Sequence, residues 1–425
     1  MHVCIIGAGF TGLSAGYYLS KAGHKVTIFE QDKKPGGLAV GFSKKEWEWT
    51  IEEHYHHWFS NDTAVLGLAR EIKYPVILKR PKTSVFVKDS SYQLDSPLHV
   101  LRFPLLSLFV RIRMAVVLAL LRFNPWWQPL EKIRAHPFLK KTIGKKAYEL
   151  LWEPQLKNKF GRYYKDISLA WFWARVKKRT SSLAYPHGGF LKFAEALVAE
   201  IRNGGGKVMF NVTVQEIKKG KYPKVLFAHS KKTQTFDAVI VTTPGNIFAR
   251  LAPSLPARYV QQLTRLKGLG AMNLVLRLRK QFMNDGTYWL SVCDHGAPVL
   301  AVVEHTNFMD RNYYNNEHLV YVGNYVSPED VRFRKNANEL LKLYDPFLRR
   351  INPPYKKHLI GLELCKAPYA QPIIETNYSR LIPPMHTPFP HVYLANIQQV
   401  YPWDRGTNYS VEMGKQVADA IMNAV

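Results

Sequence analysis

The chain has 425 residues, too long for one hydrophobic core and suited to two domains. Its 47% apolar share gives ample material to bury, and Cys4, Cys293 and Cys365 lie too far apart for C-x-x-C or metal-ligand spacing. The net charge of +27 admits nucleic acid, anionic lipid or an acidic substrate, but the cations are spread along the chain and accompany no nucleic-acid-binding motif, so no nucleic-acid partner is expected.

Residues 3–6 form a short apolar run, long enough for a buried strand. Gly7-Ala8-Gly9-Phe10-Thr11-Gly12 follows and reads G-x-G-x-x-G. Residues 13–22 read as a helix closed by Gly23, and residues 25–30 as a second strand ending in Glu30. Gly7 lets the chain turn off the strand, Gly9 leaves a pyrophosphate room at the backbone, and Gly12 lets the helix pack close to the sheet. The helix N-terminus offers free N–H groups to phosphates, and Glu30 can accept hydrogen bonds from a ribose. Strand, turn, helix and acid together predict a dinucleotide site. Gly12-Leu13-Ser14-Ala15-Gly16 also reads G-x-S-x-G. A nucleophilic serine must stand on the strained turn itself, whereas Ser14 falls within the helix.

Lys33-Lys34-Pro35-Gly36-Gly37-Leu38-Ala39 brings a second glycine pair after the acid. With Leu13, Gly16 and Leu19 in the first helix, this resembles the extended fingerprint of the amine oxidase, protoporphyrinogen oxidase and phytoene desaturase superfamily. The resemblance implies FAD as cofactor and a flavin contact for Gln31 and Leu38 beside the two glycine motifs.

The next block, residues 46–59, is rich in aromatics and holds His54, His56 and His57. It has no helical H-x-x-x-H spacing and no nearby cysteine, so no metal is expected. It is similar to the histidine-aromatic block of UDP-galactopyranose mutases and protoporphyrinogen oxidase-related enzymes. That likeness implies His56, His57 and Phe59 beside the isoalloxazine. Taken alone, the residues fit a packed core with satisfied histidines equally.

A helix is expected over 61–72, then strands at 76–78, 84–87 and 91–94, the last two joined as a hairpin around 88–90. Residues 97–127 are the most apolar region and hold no acid. Their charge-free runs are shorter than the ~18 residues a membrane-spanning helix needs. Arg102, Arg111, Arg113 and Arg122 with Trp126-Trp127 suit either an anionic membrane surface or a lid packed on the substrate domain. Residues 152–161 resemble the superfamily's P-L-L-x-x-K-F-G segment, and 168–178 read as an aromatic helix.

Residues 190–202 read as an amphipathic helix ended by three glycines, followed by strands at 207–210, 212–217, 225–228 and 236–241. By the resemblance, Val214 holds the adenine, and Thr243 and Pro244 lie beside the cofactor. Residues 246–384 suit a mixed sheet, with strands near 273–278, 299–304 and 318–325 and a helix over 328–349.

The C-terminus reads as a strand (392–396), an aromatic loop (401–409) and a helix (410–423) with Gly414 and Ala418 on a close-packing face. The superfamily ends alike, which implies that Asp404, Asn408, Tyr409 and Ser410 approach FAD. Tyr401 and Trp403 would line the cavity as paired aromatics do in amine oxidases.

The expected fold is α/β: a discontinuous Rossmann-like FAD domain (1–75, 185–250 and 385–425) and a second α+β substrate domain (76–184 and 251–384). The expected function is an FAD-dependent oxidoreductase taking a hydride from an organic, apolar small molecule, with His56, His57, Tyr401 and Trp403 as candidate catalytic residues. The flavin-facing lysine of many amine oxidases has no motif-supported equivalent, which favours a desaturase-like or protoporphyrinogen oxidase-like role. The alternatives are a mutase-like non-redox flavoenzyme and a membrane-surface or assembly protein with structural FAD. The N-terminus lacks a basic n-region, so the expected location is the cytoplasm, with the inner face of the membrane as the other candidate.

Overall fold

The computed structural model describes residues 1–228, 230 and 232–424. The apolar run after Met1 forms the strand His2–Ile6, at the centre of a five-stranded parallel sheet. The sheet runs Lys207–Met209, Lys25–Phe29, His2–Ile6, Ala238–Val241, Val392–Leu394. Its strands come from three distant parts of the chain. Val3, Cys4, Ile5, Val26, Ile28 and Ile240 are fully buried, as strands covered on both faces require. Helix Phe10–Lys21 follows the first strand, and the C-terminal helix Thr407–Met422 lies against it. A Cβ on Gly414 would stand 1.9 Å from Ser14 Oγ and 2.4 Å from the Thr11 carbonyl, so only glycine permits this approach. Ser14 is buried and donates to the Phe10 carbonyl at 2.8 Å. It is a helix-packing residue, not an exposed nucleophile.

A second, seven-stranded sheet is mixed. Next to one edge, Gly268–Leu278 pairs antiparallel with His318–Val326 and with the edge strand Leu359–Pro372. The expected hairpin forms its far edge, Lys82–Val87 with Ser90–Gln93, turning through Lys88 and Asp89 in the left-handed region. Alternation along Gly268–Leu278 sends Met272, Leu274 and Leu276 toward helix Ala337–Ile351 and Val275 toward the core of the nucleotide sheet. The helix expected over 328–349 is two helices, Val331–Arg334 and Ala337–Ile351. Asn336 breaks the run by forming a capping box with Glu339.

Residues 97–178 are helical and have their own core around Leu139, Tyr148, Phe160 and Trp171–Trp173. Helix Leu108–Phe123 buries only Met114 and Leu121 completely. Among the described residues no helix is long and apolar enough to cross a membrane.

Candidate active site

The first turn is built by glycines that cannot be replaced. Gly7 has φ +105°, and a Cβ there would lie 2.5 Å from Thr242 Oγ1. A Cβ on Gly12 would lie 2.0 Å from the Gly7 carbonyl. Gly9 differs: its Cβ would meet only Gly37 Cα, at 3.7 Å, an ordinary contact that a Cβ can make. The second glycine pair folds onto the first turn, with the Gly36 amide donating to the Ala8 carbonyl at 2.9 Å. Glu30 closes the ring, accepting from the amides of Ala8 at 2.7 Å and Asp32 at 3.0 Å. Burial raises its pKa against those bonds. Val212 donates to the Glu30 carbonyl, which brings buried Val214 to the same rim; Gln31 is exposed and Leu38 half-buried.

Two long helices begin here without side-chain caps. Gly9 precedes Phe10–Lys21, with Phe10 and Thr11 buried in its first turn, and Gly406 precedes Thr407–Met422. Their first N–H groups have no intrahelical partner and favour an anion. Buried Thr243 Oγ1 and His54 Nε2 have no protein partner among the described residues, while the Thr243 carbonyl, next to Pro244, accepts from Asn396. Open glycine backbone, uncapped helix starts and orphaned buried polar atoms fit a nucleotide cofactor with a pyrophosphate. Asn408 and Ser410 turn elsewhere. Asn408 Oδ1 accepts from the Ala64 and Val65 amides, starting helix Thr63–Glu71, and Ser410 donates to the Gly406 carbonyl.

The histidine block lies between the two sheets. His54 Nδ1 meets Asn273 of strand Gly268–Leu278, His56 Nδ1 meets the His54 carbonyl, and His57 Nδ1 meets the Tyr288 hydroxyl at 3.1 Å. A carbonyl can only accept, so His56 carries its proton on Nδ1 and keeps a lone pair on Nε2. Burial lowers the pKa of His54 to about 3, of His56 to about 4 and of His57 to about 3, so all three are neutral at pH 7. They diverge to separate partners. Tyr401 and Trp403 diverge too: Tyr401 donates to Glu131 and packs on Trp127, while Trp403 stacks between Trp173 and Tyr409.

The family described as flavin containing amine oxidoreductase matches residues 10–422. The chain belongs to that family. It is 25% identical to coproporphyrinogen III oxidase of Staphylococcus aureus over 287 residues, 58% of this chain and 61% of that protein. Its fold is that of an oxidoreductase from Methanosarcina mazei (TM-score 0.79, 18% identity, 99% and 100% of the two chains). Reduced UDP-galactopyranose mutase has a similar fold (TM-score 0.79, 15% identity, 100% and 96%). FAD is therefore the cofactor of this flavin amine oxidoreductase.

Asp404, which the resemblance places near FAD, stands in a cluster whose basic residues Lys159, Arg175 and Arg405 the sequence reading did not single out. Asp404 of the C-terminal loop is held by Arg175 Nη1 at 2.7 Å, Trp171 Nε1 at 3.0 Å and Lys159 Nζ at 3.6 Å. Burial alone would raise the Asp404 pKa; Lys159, Arg175 and Arg405 overcome it and hold the carboxyl below its usual range. Lys159 is almost fully buried, with its ammonium over Trp171 and Tyr325. Burial pushes its pKa well down against the pull of Asp404. Its one sequence signal is the Lys159-Phe160-Gly161 end of the P-L-L-x-x-K-F-G-like segment.

Proposed function

We propose that this chain is an FAD-dependent oxidoreductase acting on an organic small molecule. In this reading residues 1–75, 185–250 and 385–425 hold the flavin, and residues 76–184 and 251–384 form the substrate side. The observation that carries it is the double glycine cradle beneath two uncapped helix starts, joined through His54 and Asn273 to the second sheet. Bound there, FAD supplies two-electron oxidation of a substrate C–H or C–N bond, with dioxygen or another acceptor taking the electrons onward. Gly9 and Gly37 let the pyrophosphate approach, Glu30 orients a ribose through its remaining lone pairs, and Thr243 offers an unpaired hydroxyl. His56 presents an uncharged lone-pair nitrogen, and His57 is fixed by Tyr288. Anaerobic mixing with porphyrinogens, primary amines and L-amino acids tests the reaction class. A donor from this panel is expected to bleach the flavin. A flavin that none reduces, in a protein that when chemically reduced converts UDP-galactopyranose to the furanose, would overturn the redox reading.

We also propose that the protein works at the cytoplasmic face of an anionic membrane. Helix Leu108–Phe123 exposes Leu108 (58%), Phe109 (74%), Val116 (52%), Leu120 (67%) and Phe123 (78%), with Trp126 (67%) beyond it. Four arginines and no acid lie between Asp95 and Glu131, so this apolar face has a basic border. Basic residues near anionic lipid contribute about 1 kcal/mol each. The protein is expected to sediment with phosphatidylglycerol vesicles at low salt, and Phe109→Glu with Phe123→Glu to abolish this. These positions are better probes than Arg111 and Arg113, which hold the carbonyls of Leu101 and Thr142. No sedimentation of the native chain would remove the membrane role.

A further inference from the structure

The cations around Asp404 outnumber what that carboxylate can satisfy. Arg175 bonds it through Nη1 only, and its Nε and Nη2 have no protein acceptor among the described residues. Arg405 donates through Nε to Gln371 and through Nη2 to the Tyr325 hydroxyl, which leaves Nη1 without one. Both Asp404 oxygens are already engaged, by Arg175, Trp171 and the Arg405 amide. Lys159 Nζ lies 3.6 Å from Asp404 as a third basic group, one that burial pulls toward its uncharged form. Two of the three are guanidiniums, which stay charged at any working pH. Side chains of Arg175 and Asp404 keep 39% and 19% of their surface, so the cluster opens onto accessible space. Its walls are aromatic: Arg175 lies over Trp171, Arg405 over Tyr325, and Trp403 stacks on Trp173. The neighbouring histidines His56 and His57 are neutral and add no further positive charge.

Grouped cations in a confined place repel one another unless an anion joins them. A protonated amine entering there would meet the two guanidinium charges of Arg175 and Arg405. We infer that this cluster recognises the oxoanion, carboxylate or phosphate, of a substrate whose remaining body is aromatic or apolar. The inference rests on the oxidoreductase reading for the identity of the pocket as a substrate site. Arg175 and Arg405 supply the free donors, Asp404 holds them in place, and the tryptophans contact the body.

The test is calorimetric titration of the flavin-loaded protein with four probes of matched size: benzoate, phenyl phosphate, benzylamine and benzyl alcohol. At least one anion is expected to bind about ten-fold or more tighter than the amine and the alcohol, as charge-assisted bonds to guanidinium require. The benzoate and phenyl phosphate arms separate the two oxoanions. Arg175→Gln is expected to weaken that anion about ten-fold, with Arg175→Lys recovering part of the loss. Asp404→Asn keeps an acceptor for Trp171 and is expected to tighten the anion. The amine or alcohol matching both anions, failure of both anions to bind, or an unchanged anion affinity in both Arg175→Gln and Asp404→Asn would overturn the inference. The readout is heat, with flavin content checked separately. A protein that oxidises nothing in a substrate panel still tests anion recognition, and turnover of an amine without anion preference would remove this inference alone.

Discussion

Replacing Gly9 with valine is expected to yield a folded protein that no longer holds FAD. A Cβ on Gly9 fits, since it meets only Gly37 Cα, at 3.7 Å. The space beside it is where a pyrophosphate must come against the N-terminus of helix Phe10–Lys21. Two valine methyls fill it, so the cost falls on the cofactor and not on the packing. Affinity for FAD is expected to fall about 100-fold or more, some 3 kcal/mol. The ratio of flavin to protein absorbance in the purified variant measures it, with the native chain stripped of flavin as the reference for folding. Gly12 gives the contrast: a Cβ there would sit 2.0 Å from the Gly7 carbonyl, so its replacement breaks the turn itself. Full flavin occupancy in the Gly9 variant would place the cofactor elsewhere.

Gly414→Val is expected to act on the fold first and on the flavin through it. Its Cβ would meet Ser14 Oγ at 1.9 Å, the Thr11 carbonyl at 2.4 Å and the Ala15 amide nitrogen at 3.0 Å. Two of the three are backbone atoms of helix Phe10–Lys21, so no rotamer change relieves the clash and the two helices must separate. Overpacking a rigid contact costs about 3 kcal/mol, and here it also displaces both uncapped helix starts. Thermal melts should show an earlier transition, with flavin released in the same step. A melt like that of the native chain would mean that the two helices are less closely packed than described.

The cradle was legible in the sequence because its demands are local. Gly7 is required by its own positive φ, Gly12 by its contact with the Gly7 carbonyl, and Glu30 follows the adjacent strand. The C-terminal helix was legible for a similar reason, since Gly414 and Ala418 fall on one face at helical spacing. Other features depend on tertiary neighbours. The strand Leu359–Pro372 escaped notice because it is an edge strand, mostly half-buried, with no strong apolar alternation. The helix over 328–349 was read as continuous because the capping role of Asn336 competes with an otherwise helical run. Residues 97–127 are apolar enough for either lid or lipid contact, and only the packing left the Phe109 and Phe123 face uncovered. Asn408 was expected at the flavin because it sits in the right loop, yet its side chain starts the helix Thr63–Glu71. The Asp404 cluster joins the loop residues Asp404 and Arg405 to Lys159 and Arg175 of two earlier helices, a meeting that only the tertiary fold produces.

The central claim is that the double glycine cradle holds FAD, and the visible absorbance of the purified native chain tests it most directly. All three cysteines are buried, and none lies in the aromatic loop of residues 401–409, so noncovalent binding is expected. The purified protein is expected to be yellow and to carry one FAD per chain, with the colour released into the supernatant by acid precipitation. A colourless protein that takes up no FAD when it is supplied would contradict that claim.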